Sequence, residues 1–175
     1  ETHLSNGMPG FAIVGLPETA VKESKERVRS AIINSNLEFP KRRITVNLAP
    51  ADLPKAGGSY DLAIAMSILA ASGQLPTECL QGCEFLGELA LDGRLRGVHG
   101  VLPALLAARE AHNRIVLPSA NQDEATLVRY AKACCANTLT ELFEHFVNNT
   151  PLKPLLEAPS DNCISADVGL SKLES

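Results

Sequence analysis

No tryptophan occurs in this sequence of 175 residues, and aromatic residues make up only 4% of it. A core without large rings must come from Leu, Ile, Val and Ala, a composition that suits α/β packing. With 45% hydrophobic residues, the chain is long enough for one domain with a proper core, plus a tail. Positive charge is not in excess. Sixteen Lys and Arg face twenty Asp and Glu, a net charge of −4, which argues against a generally basic protein that coats nucleic acid. A local basic patch stays open. Disulfide-forming pairs are not evident either. The five cysteines, Cys79, Cys83, Cys134, Cys135 and Cys163, are odd in number and irregularly spaced. That pattern is a poor disulfide framework and points to a reducing, cytoplasmic compartment. Cys79 and Cys83 could share a metal, but no His or second close pair lies near them, so no metal site is expected. No signal peptide is present, and no apolar run is long enough to cross a bilayer, so no membrane partner is expected. The chain opens without Met, on Glu1-Thr2-His3-Leu4, which reads as the end of a strand in a domain cut from a longer protein.

Punctuated apolar runs organise the rest. Phe11–Val14 reads as a strand ended by Gly15-Leu16-Pro17. Val21, Ser24, Val28, Ala31 and Ile32 then recur at helical spacing, with Glu18–Lys22 and Glu23–Arg27 as favourable pairs on the other side. This helix should stop between Asn34 and Asn36. Ile44–Leu48 alternates as a strand. Leu62–Ala71 is apolar nearly all round, which predicts a buried helix closed by Ser72-Gly73. Phe85–Leu91 reads as one strand, with Asp92-Gly93 turning it into a hairpin with Leu95–Val98. Helices are predicted over Val101–Glu110 and Asn121–Ala133, with a buried strand at Arg114–Pro118 between them. The last helix should run over Thr138–Val147, with Thr138 as its cap and Glu141 three residues on. From Asn148 the texture turns polar and proline-rich, which places a domain boundary near residue 150 and a linker over 151–175. Alternating strands and helices indicate a mixed α/β domain.

The most informative stretch is Leu53-Pro-Lys-Ala-Gly-Gly-Ser-Tyr-Asp-Leu62. Gly57 and Gly58 allow a tight turn and a close backbone approach. Ser59 stands where the buried helix should begin, among free amides and a partial positive charge. Such a corner can hold a nucleophile, cradle an anion at Gly57 and Gly58, or simply start a helix. Asp61 suits the last of these, because an acid is stabilised in a first helical turn, and it would repel a phosphate. The full phosphate-binding loop, Gly-x-x-x-x-Gly-Lys-Ser/Thr, is absent from the sequence.

Basic residues gather at Lys22, Lys25, Arg27 and Arg29 on the first helix and at Lys41-Arg42-Arg43 before the second strand. One reading is a solvated, salt-bridged face; the other is phosphate contact with DNA through Lys22, Lys25, Lys41, Arg42 and Arg43. Read as a run, these charges have no aromatic residue interleaved, which leaves base stacking unsupported.

Three stretches carry a resemblance: Gly10–Ser24, Ile44–Lys55 with Gly57-Gly58, and Phe85–Gly93. Together they resemble the amino-terminal domain of the ComM/YifB family, the magnesium-chelatase-like proteins, from about Leu4 to Val147. The resemblance implies a domain that precedes a hexameric AAA+ ATPase, with ATP and magnesium bound by that absent part and no cofactor here. It also implies a homo-oligomer and roles in natural transformation, DNA recombination and branch migration. The same stretches bear a weaker resemblance to the proteolytic domain of Lon proteases, whose α/β fold is the one named after ribosomal protein S-five, domain two. Pro54–Ser59 then falls on the Lon segment that carries the nucleophile, which puts Ser59 in that place.

A Ser–Lys dyad needs an amine in reach of the hydroxyl. By the resemblance, the place of that lysine falls here at Leu102, which cannot accept a proton, and Lys55 matches the non-catalytic lysine of the Lon segment. Arg94 and Arg96 are not bases at neutral pH, while His99 and His112 could in principle substitute. The expectation is therefore a pseudo-protease, a non-catalytic Lon-like domain acting in subunit assembly or DNA handling. The alternative is a serine peptidase that uses Ser59 with an unusual base.

Overall fold

A computed structural model describes residues 1–49, 57–152 and 155. Pro50, Leu53, Pro54 and Lys55, Cys163 and nearly all of the predicted linker lie outside the described residues.

The described residues form eight strands and five α-helices, intermixed along the chain. The first sheet has the order β1-β3-β2, with β1 Thr2–Ser5, β2 Gly10–Val14 and β3 Arg43–Asn47. β2 and β3 are parallel and are joined by helix α1, Glu18–Asn34, while β1 runs antiparallel to β3. The predicted stripe on α1 faces inward: Ser24, Val28, Ala31 and Ile32 are buried. Helix α2, Asp61–Ala71, packs against α1 and β1, and its apolar circumference explains why Leu62, Ile64, Ile68 and Leu69 are all buried. These helices and the first sheet close one core.

A second sheet is fully parallel, with the order β4-β7-β8: β4 Cys83–Phe85, β7 Arg114–Pro118 and β8 Lys132–Ala136. Helix α3, Val101–Glu110, and the short α4, Gln122–Thr126, cover it around Val101, Leu105, Ile115 and Leu117. A two-stranded hairpin, β5 Glu88–Leu89 with β6 Leu95–Arg96, lies between β4 and α3 in the chain. Helix α5, Leu139–Asn148, follows β8 and buries Leu139, Leu142 and Phe146 in the first core. Thr138 caps it as predicted, its hydroxyl accepting from the Glu141 amide at 3.1 Å. Beyond α5, Leu152 packs against the first core and Leu155 against the second.

Two predicted elements come out differently. Phe85–Leu91 is not one strand. Leu86 N–H still donates to Val116 O, but Gly87 N–H donates to Ser59 O at 2.9 Å and Gly87 O accepts from Leu62 N–H at 3.0 Å. The chain thus leaves the second sheet at Phe85 and is tied to the start of α2 before the hairpin begins. The predicted helix over Asn121–Ala133 stops at Thr126, and Lys132–Ala136 is the strand β8. Its small residues, Ala133, Cys135 and Ala136, are buried beside β7 in a continuous run that periodicity cannot separate from helix. Burial also pushes the thiols up: Cys83 and Cys134 above their ordinary value, and Cys135 to about 11. Among the described residues, no helix is long and apolar enough to cross a membrane, and no three His, Cys, Asp or Glu side chains cluster as metal ligands.

Candidate functional site

The glycine pair opens a 3-10 turn, Gly57–Tyr60, that runs directly into α2. Gly57 takes a positive φ of 33°, which its lack of a side chain permits. Ser59 does not cap α2. It is the third residue of the turn, Tyr60 holds the cap position, and no side-chain cap bond forms there. The Ser59 carbonyl instead receives Gly87 N–H, and only 9% of the residue is exposed.

Carboxylates surround this corner. A β-carbon on Gly58 would come within 2.5 Å of Glu88 Oε2, so the Glu88 side chain lies against the glycine. Glu88 in turn faces Arg96 Nη1 at 3.7 Å. Asp61, the first residue of α2, is completely buried. Its carboxylate accepts from Arg27 Nε at 2.6 Å, Ser24 Oγ at 2.7 Å, and more weakly from Arg27 Nη2 and Leu89 N–H, each at 3.3 Å. Arg27 also reaches Glu23 at 3.5 Å, the predicted helical pair. Burial pushes the Asp61 carboxyl up from its ordinary value, against the pull of Arg27, Ser24 and Leu89. The hydrogen bond to Asp61 holds the Arg27 guanidinium above its own. Asp61 is thus more than a first-turn acid: it bolts α1, α2 and β5 together around the serine.

Among the described residues, no lysine or histidine side chain hydrogen-bonds to the Ser59 hydroxyl. Leu102 is the second residue of α3 and is 37% exposed. Its helix packs chiefly on α4, β7 and β8, whereas the serine turn packs on α1, α2 and β5. His99 and His112 are exposed. Arg94 is engaged with Asp92 at 2.8 Å, and Arg96 with Glu88. An anion at Gly58 would meet the carboxylate of Glu88, which repels it.

The basic residues form a second place of interest. Lys22 and Lys25 lie on α1, Lys41 and Arg42 in the loop before β3, and Arg43 at its first position, all but Lys25 being exposed. The absence of interleaved aromatics in the sequence is overturned by the fold. Lys25 Nζ sits 5.8 Å from the Phe11 ring centroid, and the Arg29 guanidinium 5.2 Å from that of Phe39. The two rings are themselves 5.5 Å apart, tilted by 60°. Phe11 comes from β2 and Phe39 from the α1–β3 loop, so separation along the chain hid the pairing. Phe39-Pro40 directly before Lys41-Arg42-Arg43 was the one local signal.

Comparison with known proteins gives a consistent picture. Residues 1–121 match the family described as subunit ChlI of Mg-chelatase. The chain is 53% identical over 155 residues to the competence protein ComM of Haemophilus influenzae (strain Rd), an alignment that covers 89% of this chain and 30% of ComM. It is 54% identical over 128 residues to the protein YifB of Escherichia coli (strain K12), covering 73% of this chain and 25% of YifB. A more distant similarity, 32% over 113 residues, links it to the Lon protease of Chlamydia pneumoniae, of which it covers 13%. The chain therefore spans less than a third of the length of these relatives.

Proposed function

The chain belongs to the magnesium-chelatase ChlI family, together with ComM and YifB, and on that premise we propose that it is a non-catalytic, Lon-like domain of a ComM-type AAA+ ATPase. In this reading it organises subunits or handles DNA beside a hexameric ring during branch migration and natural transformation. ATP and magnesium are bound by the part of the protein outside this chain, which works in the cytoplasm. The observation that carries the non-catalytic part is the surroundings of Ser59: a nearly buried turn faced by Glu88 and braced by Asp61, with leucine at the position where the Lon resemblance places the base. A hydroxyl without a proton acceptor stays a weak nucleophile. The rival reading, a serine peptidase with an unusual base, draws on the same glycine turn and on the similarity to Lon.

The assembly role has a direct test. The full-length protein and a form without this domain should differ in sedimentation, in DNA branch migration, or in both. Unchanged ring assembly together with unchanged DNA handling would remove the proposal.

A further inference from the structure

From the surface around Phe11 and Phe39, we infer that the chain carries a track for single-stranded nucleic acid on the face formed by α1, the start of β2 and the α1–β3 loop. The inference deepens the DNA-handling half of the reading above and rests on it. Two adjoining clefts define the track. The larger, about 360 Å³, has Phe11, Ile33, Phe39 and Pro40 among its apolar lining and Arg29, Lys41 and Arg42 among its polar groups. The smaller, about 260 Å³, shares Glu38, Pro40, Lys41 and Arg42 with it and continues toward Leu4, Ser72 and Gln74. Two hollows on either side of one cationic turn suit an extended occupant better than a compact one.

The chemistry selects the kind of occupant. A single strand presents apolar base faces and regularly spaced phosphates together, and it is held by aromatic surface alternating with cations. Lys25, Phe11, Phe39 and Arg29 supply both, as two tilted rings in contact with a cation on each. Holding a guanidinium over a ring also limits its freedom before a phosphate arrives, which lowers the cost of ordering it on binding. Lys22, Lys25 and Arg29 follow one another at helical spacings of three and four, so the positive stripe continues along α1 beyond the cleft. Arg42 is already directed by a hydrogen bond to Asn6 Oδ1 at 3.1 Å. Duplex DNA hides its base faces and has no use for the apolar floor. The Glu38 side chain, which lines both clefts, works against phosphate there, and Glu18 and Glu26 lie among the cations of α1. Ile33 stays 49% exposed within the larger cleft, an apolar surface that a base would cover.

The test is fluorescence anisotropy of the 175-residue chain with a labelled thymidine strand of about 20 nucleotides, a duplex of equal length, and poly-glutamate. The chain should bind the strand more tightly than the duplex and leave poly-glutamate unbound. Combining Arg29→Ala, Lys41→Ala and Arg42→Ala should weaken strand binding roughly tenfold or more at low salt, and reduce the slope of log affinity against log salt by roughly 2. Glu38→Gln should tighten binding, and Arg129→Ala, between α4 and β8, should leave it unchanged. If the triple variant loses its fold, Lys41→Ala alone carries the test, with a slope change of roughly 0.7. Three results would each overturn the inference: no strand binding by the unaltered chain, a triple variant as tight as Arg129→Ala, or binding that prefers duplex or poly-glutamate. Ring sedimentation is read separately, so an assembly role survives loss of the track and the track survives a failure of assembly.

Discussion

Replacing Asp61 by alanine should destabilise the domain by about 3 kcal/mol, toward the lower end of what is lost when one partner of a buried ion pair is removed. The substitution strands three donors at once: the Arg27 guanidinium, the Ser24 hydroxyl and Leu89 N–H. Arg27 keeps 17% side-chain exposure and its contact with Glu23, which is why the loss stays below the extreme. Burial already works against the Asp61 charge, so the ion pair positions elements more than it adds stability. Removing the stranded cation should therefore help. Arg27→Met added to Asp61→Ala should recover part of the loss, a coupling that a double-mutant cycle of urea unfolding will read as a non-additive midpoint at constant slope. An Asp61→Ala protein within about 0.5 kcal/mol of the parent, the range of ordinary surface changes, would show that this carboxylate does not hold α1, α2 and β5 together.

Gly15→Ala should cost about 3 kcal/mol or more, from backbone strain and overpacking acting together. Gly15 takes a φ of 99°, in the region that side chains disfavour, and a β-carbon there would lie 2.2 Å from the Leu48 carbonyl oxygen. That oxygen is backbone and cannot swing aside. Leu48 is fixed by its own N–H, which donates to Val14 O at 2.8 Å just beyond the paired ends of β2 and β3. The substitution must therefore prise the two strands apart or twist the approach to α1. Gly10→Ala is the matched control: its nearest neighbour is Met8 O at 4.0 Å and its φ is not in the positive region, so its effect should stay within about 0.5 kcal/mol. Thermal unfolding of the two variants will separate them. Equal transitions would mean that β2 and β3 do not approach here as described.

Most of the first unit was legible in the sequence because its signals are local and unmixed. The inward stripe of α1, the uniformly apolar α2 and the Asp92-Gly93 turn each admit few structures. The second sheet was legible only in part. Lys132–Ala136 offers small residues with no periodicity, and its strand state depends on pairing with β7. Phe85–Leu91 looked like one strand because nothing along the chain announces that Gly87 will exchange its bonds for Ser59 and Leu62. The candidate site divides in the same way. The glycine turn could be located from residue types alone, but the contacts that define its chemistry could not. Glu88 lies 30 positions from Gly58 by chain number and Arg27 lies 34 from Asp61, separations over which a single sequence carries no pairing signal. The Phe11–Phe39 contact escaped for the same reason.

Reaction with a fluorophosphonate probe tests the inertness of Ser59 most directly. The full-length protein, with and without ATP, should remain unlabelled at this residue, and Ser59→Ala should show the same background. Labelling of Ser59 that disappears in Ser59→Ala would reveal a working base beside the hydroxyl and contradict the account.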